Sequence, residues 1–400
     1  MNKDVKKIFI VLAFYALSGG IFYNFQELWM ADNHLSTQTI GIVFSLCALL
    51  SVSTIFLCSN LITKQRLKKF SCILLLLKVI ILFLLFILNH TGLNVLIKFL
   101  IMLDFVIDAE IYACIYPLIT FITKNDKVYA LRGLIYSYAY YGGILLTSFL
   151  LGKTLFTFNI NFNTYCLLGS ILMLVSYITL KTVDLNKYNK NIELNNDHNA
   201  LYKVIKIVKE DKISKKFLAF RLTSTISYHC VYGLLITLLT SNLGFSASGA
   251  STFKLILGIV AVLLGTLILE KLTSKNDYIN FSIKYVGRLI VYIIAAIFDY
   301  KLLYVLGIVY MLLFSESYAH ITDAPYVNRF STENQLAFCN LQEMVSYLAE
   351  AIGNLICGLT ITIGTRYSFI FAIIFAIFQI IYGFQAIKLR SKEKGEISLW

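Results

Sequence analysis

Charge is scarce in this chain: only 14% of its 400 residues are Asp, Glu, Lys or Arg, 58% are hydrophobic, and the mean hydropathy is +0.75. That balance exceeds what a soluble domain needs to fill a core, and it excludes one. The eight cysteines (Cys47, Cys58, Cys72, Cys114, Cys166, Cys230, Cys339 and Cys357) form no Cys-x-x-Cys pair and no Cys/His cluster. They read as small core residues, with neither a disulfide framework nor a metal site expected. A nucleophile beside a base and a His-Glu-x-x-His set are also missing, and the five histidines (His34, His90, His198, His229 and His320) lie far apart. No enzyme and no cofactor is therefore expected. Met1 to Met30 has a Lys-bearing start (Lys3, Lys6, Lys7) but no small-residue cleavage site, so it reads as a retained first helix.

The hydrophobic runs are near twenty residues long, which suits helices rising about 1.5 Å per residue across a core of about 30 Å rather than short alternating barrel strands. The sequence predicts an all-α polytopic membrane protein with twelve spans, roughly 8–30, 38–59, 71–88, 94–123, 131–151, 164–181, 217–240, 247–269, 282–299, 302–326, 335–361 and 366–387. Every second connection is basic: Lys64, Arg66, Lys68 and Lys69; Lys124, Lys127 and Arg132; the stretch 181–221; Lys271 and Lys275; Arg329; and the tail from Lys388 to Lys394. The intervening connections hold only Lys98, Lys153, Lys301 and Arg366, which places both termini in the cytoplasm of a plasma membrane. The net charge of +13 is then a topology signal on an anionic inner leaflet, and no nucleic-acid partner is expected. Twenty-eight lysines against seven arginines, with abundant Ile and Asn, point to an AT-rich genome and a bacterial source.

The longest connection divides the chain into an N-terminal six-helix bundle (1–181), a central cytoplasmic loop (182–216) and a C-terminal six-helix bundle with a short basic tail (217–400). In the loop, Leu201, Val204, Ile205 and Val208 share one helical face and Lys203, Lys206 and Lys209 another, as in a helix on the inner membrane surface or a solvated linker. The bundles echo each other. Ser36 to Phe70 is matched by Ser246 to Phe281, and the acid-bearing stretches Asp104 to Pro117 and Glu316 to Pro325 form a second pair, so a site near the midplane between two pseudo-symmetric halves is expected.

Over essentially its whole length the chain resembles the major facilitator superfamily, through the twelve spans in two halves, the long central loop, and the short basic loops after the second and eighth spans. On that family's loop signature, Gly-x-Leu-x-Asp-Arg-x-Gly-Arg-Arg, fall Ser59, Leu61, Thr63, Lys64, Lys68 and Lys69 in the first half and Thr266, Ile268, Glu270, Lys271 and Lys275 in the second. Both glycines are replaced, and Thr63 stands for the first aspartate. The resemblance implies gating loops at Lys64, Lys68, Lys69, Glu270 and Lys271, with spans 1, 4, 7 and 10 lining a cavity and spans 3, 6, 9 and 12 facing lipid. Gly133, Gly142 and Gly143 fall on part of a drug-antiporter signature that no proline completes. Ala109 to Tyr116, followed by KVYALRG, is similar to the fourth helix of folate and thiamine carriers.

Acids inside membrane spans cost a few kcal/mol and usually face a protein-lined cavity. Asp104 and Asp108 are four apart and share a helical face, whereas Glu110 lies about 200° from Asp108. Either the Asp pair or Glu110 faces the cavity. In span 10, Glu316, His320 and Asp323 form one stripe able to pass protons. These six are the expected proton-coupling residues. Tyr23, Asn24 and Glu27 in span 1, Tyr112 and Tyr116 in span 4, and Tyr228, His229 and Tyr232 in span 7 are the expected substrate-binding residues, suited to a flat or cationic solute. Arg221 reads as an interfacial anchor, Glu343 and Glu350 as partners of Lys254, and Lys78 as a snorkelling residue without a role. The expected function is a monomeric secondary transporter moving a small organic molecule by alternating access, with proton-coupled efflux ahead of nutrient or vitamin uptake and of a non-transporting receptor or assembly role.

Overall fold

The computed structural model describes residues 3–32, 35–61, 64–88, 94–122, 126–150, 154–155, 158–159, 162–185, 200–263, 277–327 and 329–393. Helices dominate: α1 (Lys3–Asp32), α2 (Thr37–Leu61), α3 (Lys64–Leu88), α4 (Asn94–Ile122), α5 (Asp126–Leu150), α6 (Phe162–Lys181), α7 (Ala200–Glu210) and α8 (Lys212–Tyr232). They continue with α9 (Leu235–Thr237), which runs into a π-turn at Leu238–Asn242, then α10 (Ala247–Leu263) and α11 (Asp277–Phe281). A second π-turn, Ser282–Val286, leads into α12 (Gly287–Phe298), followed by α13 (Lys301–Val327), α14 (Thr332–Ile363) and α15 (Thr365–Glu393). A two-residue antiparallel pair, β1 (Thr154–Leu155) with β2 (Phe158–Asn159), joins α5 to α6. Each of the twelve expected spans overlaps these helical segments, span 217–240 covering both α8 and α9, and the end of span 247–269 lying outside the described residues. Among the described residues, seven helices are long and apolar enough to cross a membrane, and eight if the bent pair Lys212–Tyr232 and Leu235–Asn242 counts as one span.

The chain forms two compact units: Met1–Asn33, Ser53–Asn199 and Ala247–Ile259 in the first, and His34–Val52, Ala200–Ser246 and Val260–Trp400 in the second. In the first, α1 crosses α5 where two glycines remove side-chain bulk: a Cβ on Gly20 would lie 1.9 Å from the Tyr140 carbonyl oxygen, and one on Gly143 would lie 2.2 Å from that of Leu17. Small residues let helix backbones approach where apolar lipid gives no hydrophobic drive. Gly20→Val or Gly143→Val is expected to cost about 1–3 kcal/mol through overpacking, read as a lower melting temperature of the purified protein. Hydroxyls of α6 tie it to both helices: Ser176 donates to the Val11 carbonyl of α1 at 3.3 Å and Tyr165 to the Thr147 carbonyl of α5 at 3.1 Å.

In the second unit, α8 packs on α14 and α15, and the start of α2 meets α14 at Gly41, where a Cβ would lie 2.8 Å from the Gly358 Cα. An aromatic cluster gathers Phe217 against Tyr326 (ring centroids 4.0 Å apart) and Phe330 against Phe338 (4.1 Å). The amphipathic face expected for α7 is present, with Leu201, Val204 and Val208 buried and Lys203, Lys206 and Lys209 exposed. Val204 and Val208 join that cluster, so the face covers protein and not the membrane surface.

Asp211 caps α8, accepting from the Ile213 amide at 3.1 Å, the Ser214 amide at 3.2 Å and the Ser214 hydroxyl at 2.5 Å, with Arg329 at 3.4 Å. Burial opposes its charge, but these donors outweigh burial and hold the carboxyl below its ordinary value. A depressed folded value contributes stability above the ordinary value of 3.8 and loses it as pH falls through the folded one. Asp211→Ala is expected to cost about 1 kcal/mol at pH 7, and melting curves of variant and parent should converge as the pH drops below 3.8.

Candidate functional site

Lys78 does not snorkel. Its side chain is fully buried, with Nζ 3.3 Å from Asp104 Oδ2 and also bonded to Asp108 Oδ1. An ammonium within an apolar span is satisfied either at the interface or by carboxylates. Here the Asp stripe of α4 faces α3 and supplies two. Asp104 is fully buried with Oδ1 unbonded, whereas the Asp108 side chain is 15% exposed, so the centre opens at Asp108. One ammonium and two carboxylates sum to −1. A proton on the carboxylate pair brings the sum to zero.

A run of tyrosine contacts starts at Asp108. The Tyr15 hydroxyl of α1 donates to the Asp108 carbonyl at 3.0 Å, and Tyr112 lies one turn beyond Asp108 on α4. The Tyr136 ring of α5 has its centroid 6.3 Å from that of Tyr15, 5.6 Å from that of Tyr112 at 71°, and 6.2 Å from that of Tyr140 at 7°. Of these, the sequence pattern singles out only Tyr112. Tyr136 and Tyr140 stand four apart in YSYAYY, a spacing that puts two rings on one face and was the available signal.

Glu110 is buried, 4% exposed, on a different face from the Asp pair, and Glu27 is buried at 8%. The side chains of Tyr23, Asn24, Tyr116, Glu316, His320, Asp323 and Lys64, and all of Glu270 and Lys271, lie outside the described residues. Lys68 closes the end of α6 by donating to the Lys181 carbonyl at 3.0 Å and the Val183 carbonyl at 2.5 Å, while Lys69 is exposed. In the second unit, the Tyr228 and Tyr232 rings lie 4.5 Å apart, and His229 Nδ1 meets Asn354 Oδ1 at 3.1 Å. Arg221 is not a free interfacial anchor: Nε donates to the Ser346 hydroxyl at 2.8 Å and Nη2 reaches Glu343 Oε1 at 3.4 Å, so Glu343 serves α8.

No family model matches the chain, and no curated protein matches its sequence. Solved structures do match. The nucleoside transporter NupG is 14% identical with a TM-score of 0.62, over 97% of this chain and 99% of that one. The human organic anion transporter MFSD10 is 10% identical with a TM-score of 0.64, over 96% and 100%. The xylose transporter XylE from E. coli, in a partially occluded inward-open conformation, is 12% identical with a TM-score of 0.65, over 97% and 98%. The chain has the fold of these major facilitator transporters. At such identities the likeness carries the fold alone, and no solute with it.

Proposed function

We propose that the chain is a proton-coupled secondary transporter that moves a small organic molecule across the plasma membrane by alternating access. The observation that carries this reading is the buried Lys78–Asp104–Asp108 centre, one charge short of neutral, within the major facilitator fold. Taking up and releasing one proton there changes the centre between 0 and −1, and alternating access can present it to either side. Glu110, Glu316, His320 and Asp323 are proposed as further members of the proton route. The solute is assigned to the rings of Tyr15, Tyr112, Tyr136 and Tyr140, with Tyr23, Asn24, Glu27, Tyr116, Tyr228, His229 and Tyr232 as additional contacts. Stacked tyrosines suit a flat molecule.

Export is the direction we assign, with both termini cytoplasmic and the protein working as a monomer in a bacterial membrane. Glu110→Gln and Glu316→Gln are each expected to abolish pH-gradient-driven movement of a compound identified by mass spectrometry of cells and medium. Full activity in both single variants would remove these two from the proton route. Accumulation inside the cells would assign the chain to uptake.

A further inference from the structure

The second unit holds a buried cation that no described carboxylate meets. Arg288 stands ten residues before the end of α12 at Phe298, as Lys78 stands ten residues before the end of α3 at Leu88. On the helix that follows, Asp104 lies ten residues after Asn94, while the same place after Lys301 is taken by Met311, which is fully buried. At these matched positions the second unit has a cation but no acid. Arg288 is 3% exposed and donates through Nη2 to Gln379 Oε1 on α15, which is 0% exposed. Three buried polar atoms gather here without partners: Arg288 Nε, Gln379 Nε2 and, one turn along α12, the Tyr292 hydroxyl. Lys284, one turn earlier, adds a second buried cation. The other described acids facing cations or phenols in this unit are engaged elsewhere: Asp277 with Arg390, Asp299 with Tyr304, Glu343 with Arg221, and Asp211 and Glu393 with Arg329.

A buried guanidinium without an anion is costly, and a fork of N–H donors beside an amide and a phenol fits an oxyanion. We propose that Arg288, Gln379 and Tyr292 form a buried site for a carboxylate or phosphate group carried by the transported solute. Arg288 lies roughly 15 Å from either end of its apolar span, at 1.5 Å per residue, which is too deep for a lipid headgroup. The residues singled out in the sequence suit a flat or cationic solute instead. Arg288 and Gln379 fall outside that reading because they lie in spans 9 and 12, assigned to lipid. The inference rests on the transporter reading and names the chemical class of its solute.

The test is ligand binding to the full chain purified in detergent, without any pH gradient, so its failure leaves proton-coupled transport standing. Benzoate and inorganic phosphate are titrated against benzylamine and benzyl alcohol, with the melting temperature as readout. At least one oxyanion should give a saturable rise that the cation and the neutral analogue do not. Arg288→Gln should weaken it by about 10- to 100-fold. Tyr292→Phe and Gln379→Leu, which keep the guanidinium, should each weaken it by about 3- to 10-fold and carry the test if Arg288→Gln does not fold. Equal stabilisation by all four compounds, or no saturable rise with either oxyanion, would overturn the proposal.

Discussion

Lys78→Gln is expected to destabilise the first unit by about 3–5 kcal/mol and to abolish transport, because it leaves two carboxylates in one buried site with no cation. Asp104 has no exposure and already lacks a partner for Oδ1, so loss of the ammonium cannot be repaired by solvent. Lys78→Arg keeps the charge and should cost less. The double variant Lys78→Gln with Asp104→Asn removes a charge of each sign and should recover much of the lost stability, a coupling that a double-mutant cycle reads directly. Parental melting behaviour in Lys78→Gln alone would show that the ammonium does not hold the pair together.

Asp108→Asn is expected to uncouple transport from the proton gradient. In that variant Lys78 and Asp104 pair one charge of each sign, and no proton is needed to neutralise the centre. One proton per cycle across one pH unit is worth about 1.4 kcal/mol, a tenfold concentration ratio of solute. The variant should fall from that ratio to unity while still exchanging labelled for unlabelled solute in proteoliposomes at equal pH. An undiminished ratio in the variant would place coupling elsewhere, with Glu110 the next acid to test.

The spans were legible because long apolar runs alternating with basic connections leave few other arrangements, and the Asp104/Asp108 stripe because helical spacing alone puts both on one face. The direction of Lys78 was not. Around it, Leu74, Leu75, Leu82 and Leu85 are buried while Ile73, Leu76, Leu77 and Phe83 are exposed, all of them apolar. Lipid tails are as apolar as leucine, so residue type in α3 does not separate the protein-facing side from the lipid-facing side. The same ambiguity hid Arg288 and Gln379 in α12 and α15. In α7 the apolar face could be read from period, but what it covers could not: it packs on α14, more than 120 residues away, whose Ala337 and Phe338 share its cluster. The tyrosines about Asp108 come from three helices and meet only through tertiary packing.

The most direct test of the transporter assignment is untargeted mass spectrometry of cells and medium, comparing strains that express the parental chain, the Asp108→Asn variant or an empty vector. The account predicts at least one small organic compound depleted inside and enriched outside with the parental chain, with that redistribution lost in the variant and in cells whose proton gradient is collapsed. Identical profiles from all three strains in every growth medium would contradict it.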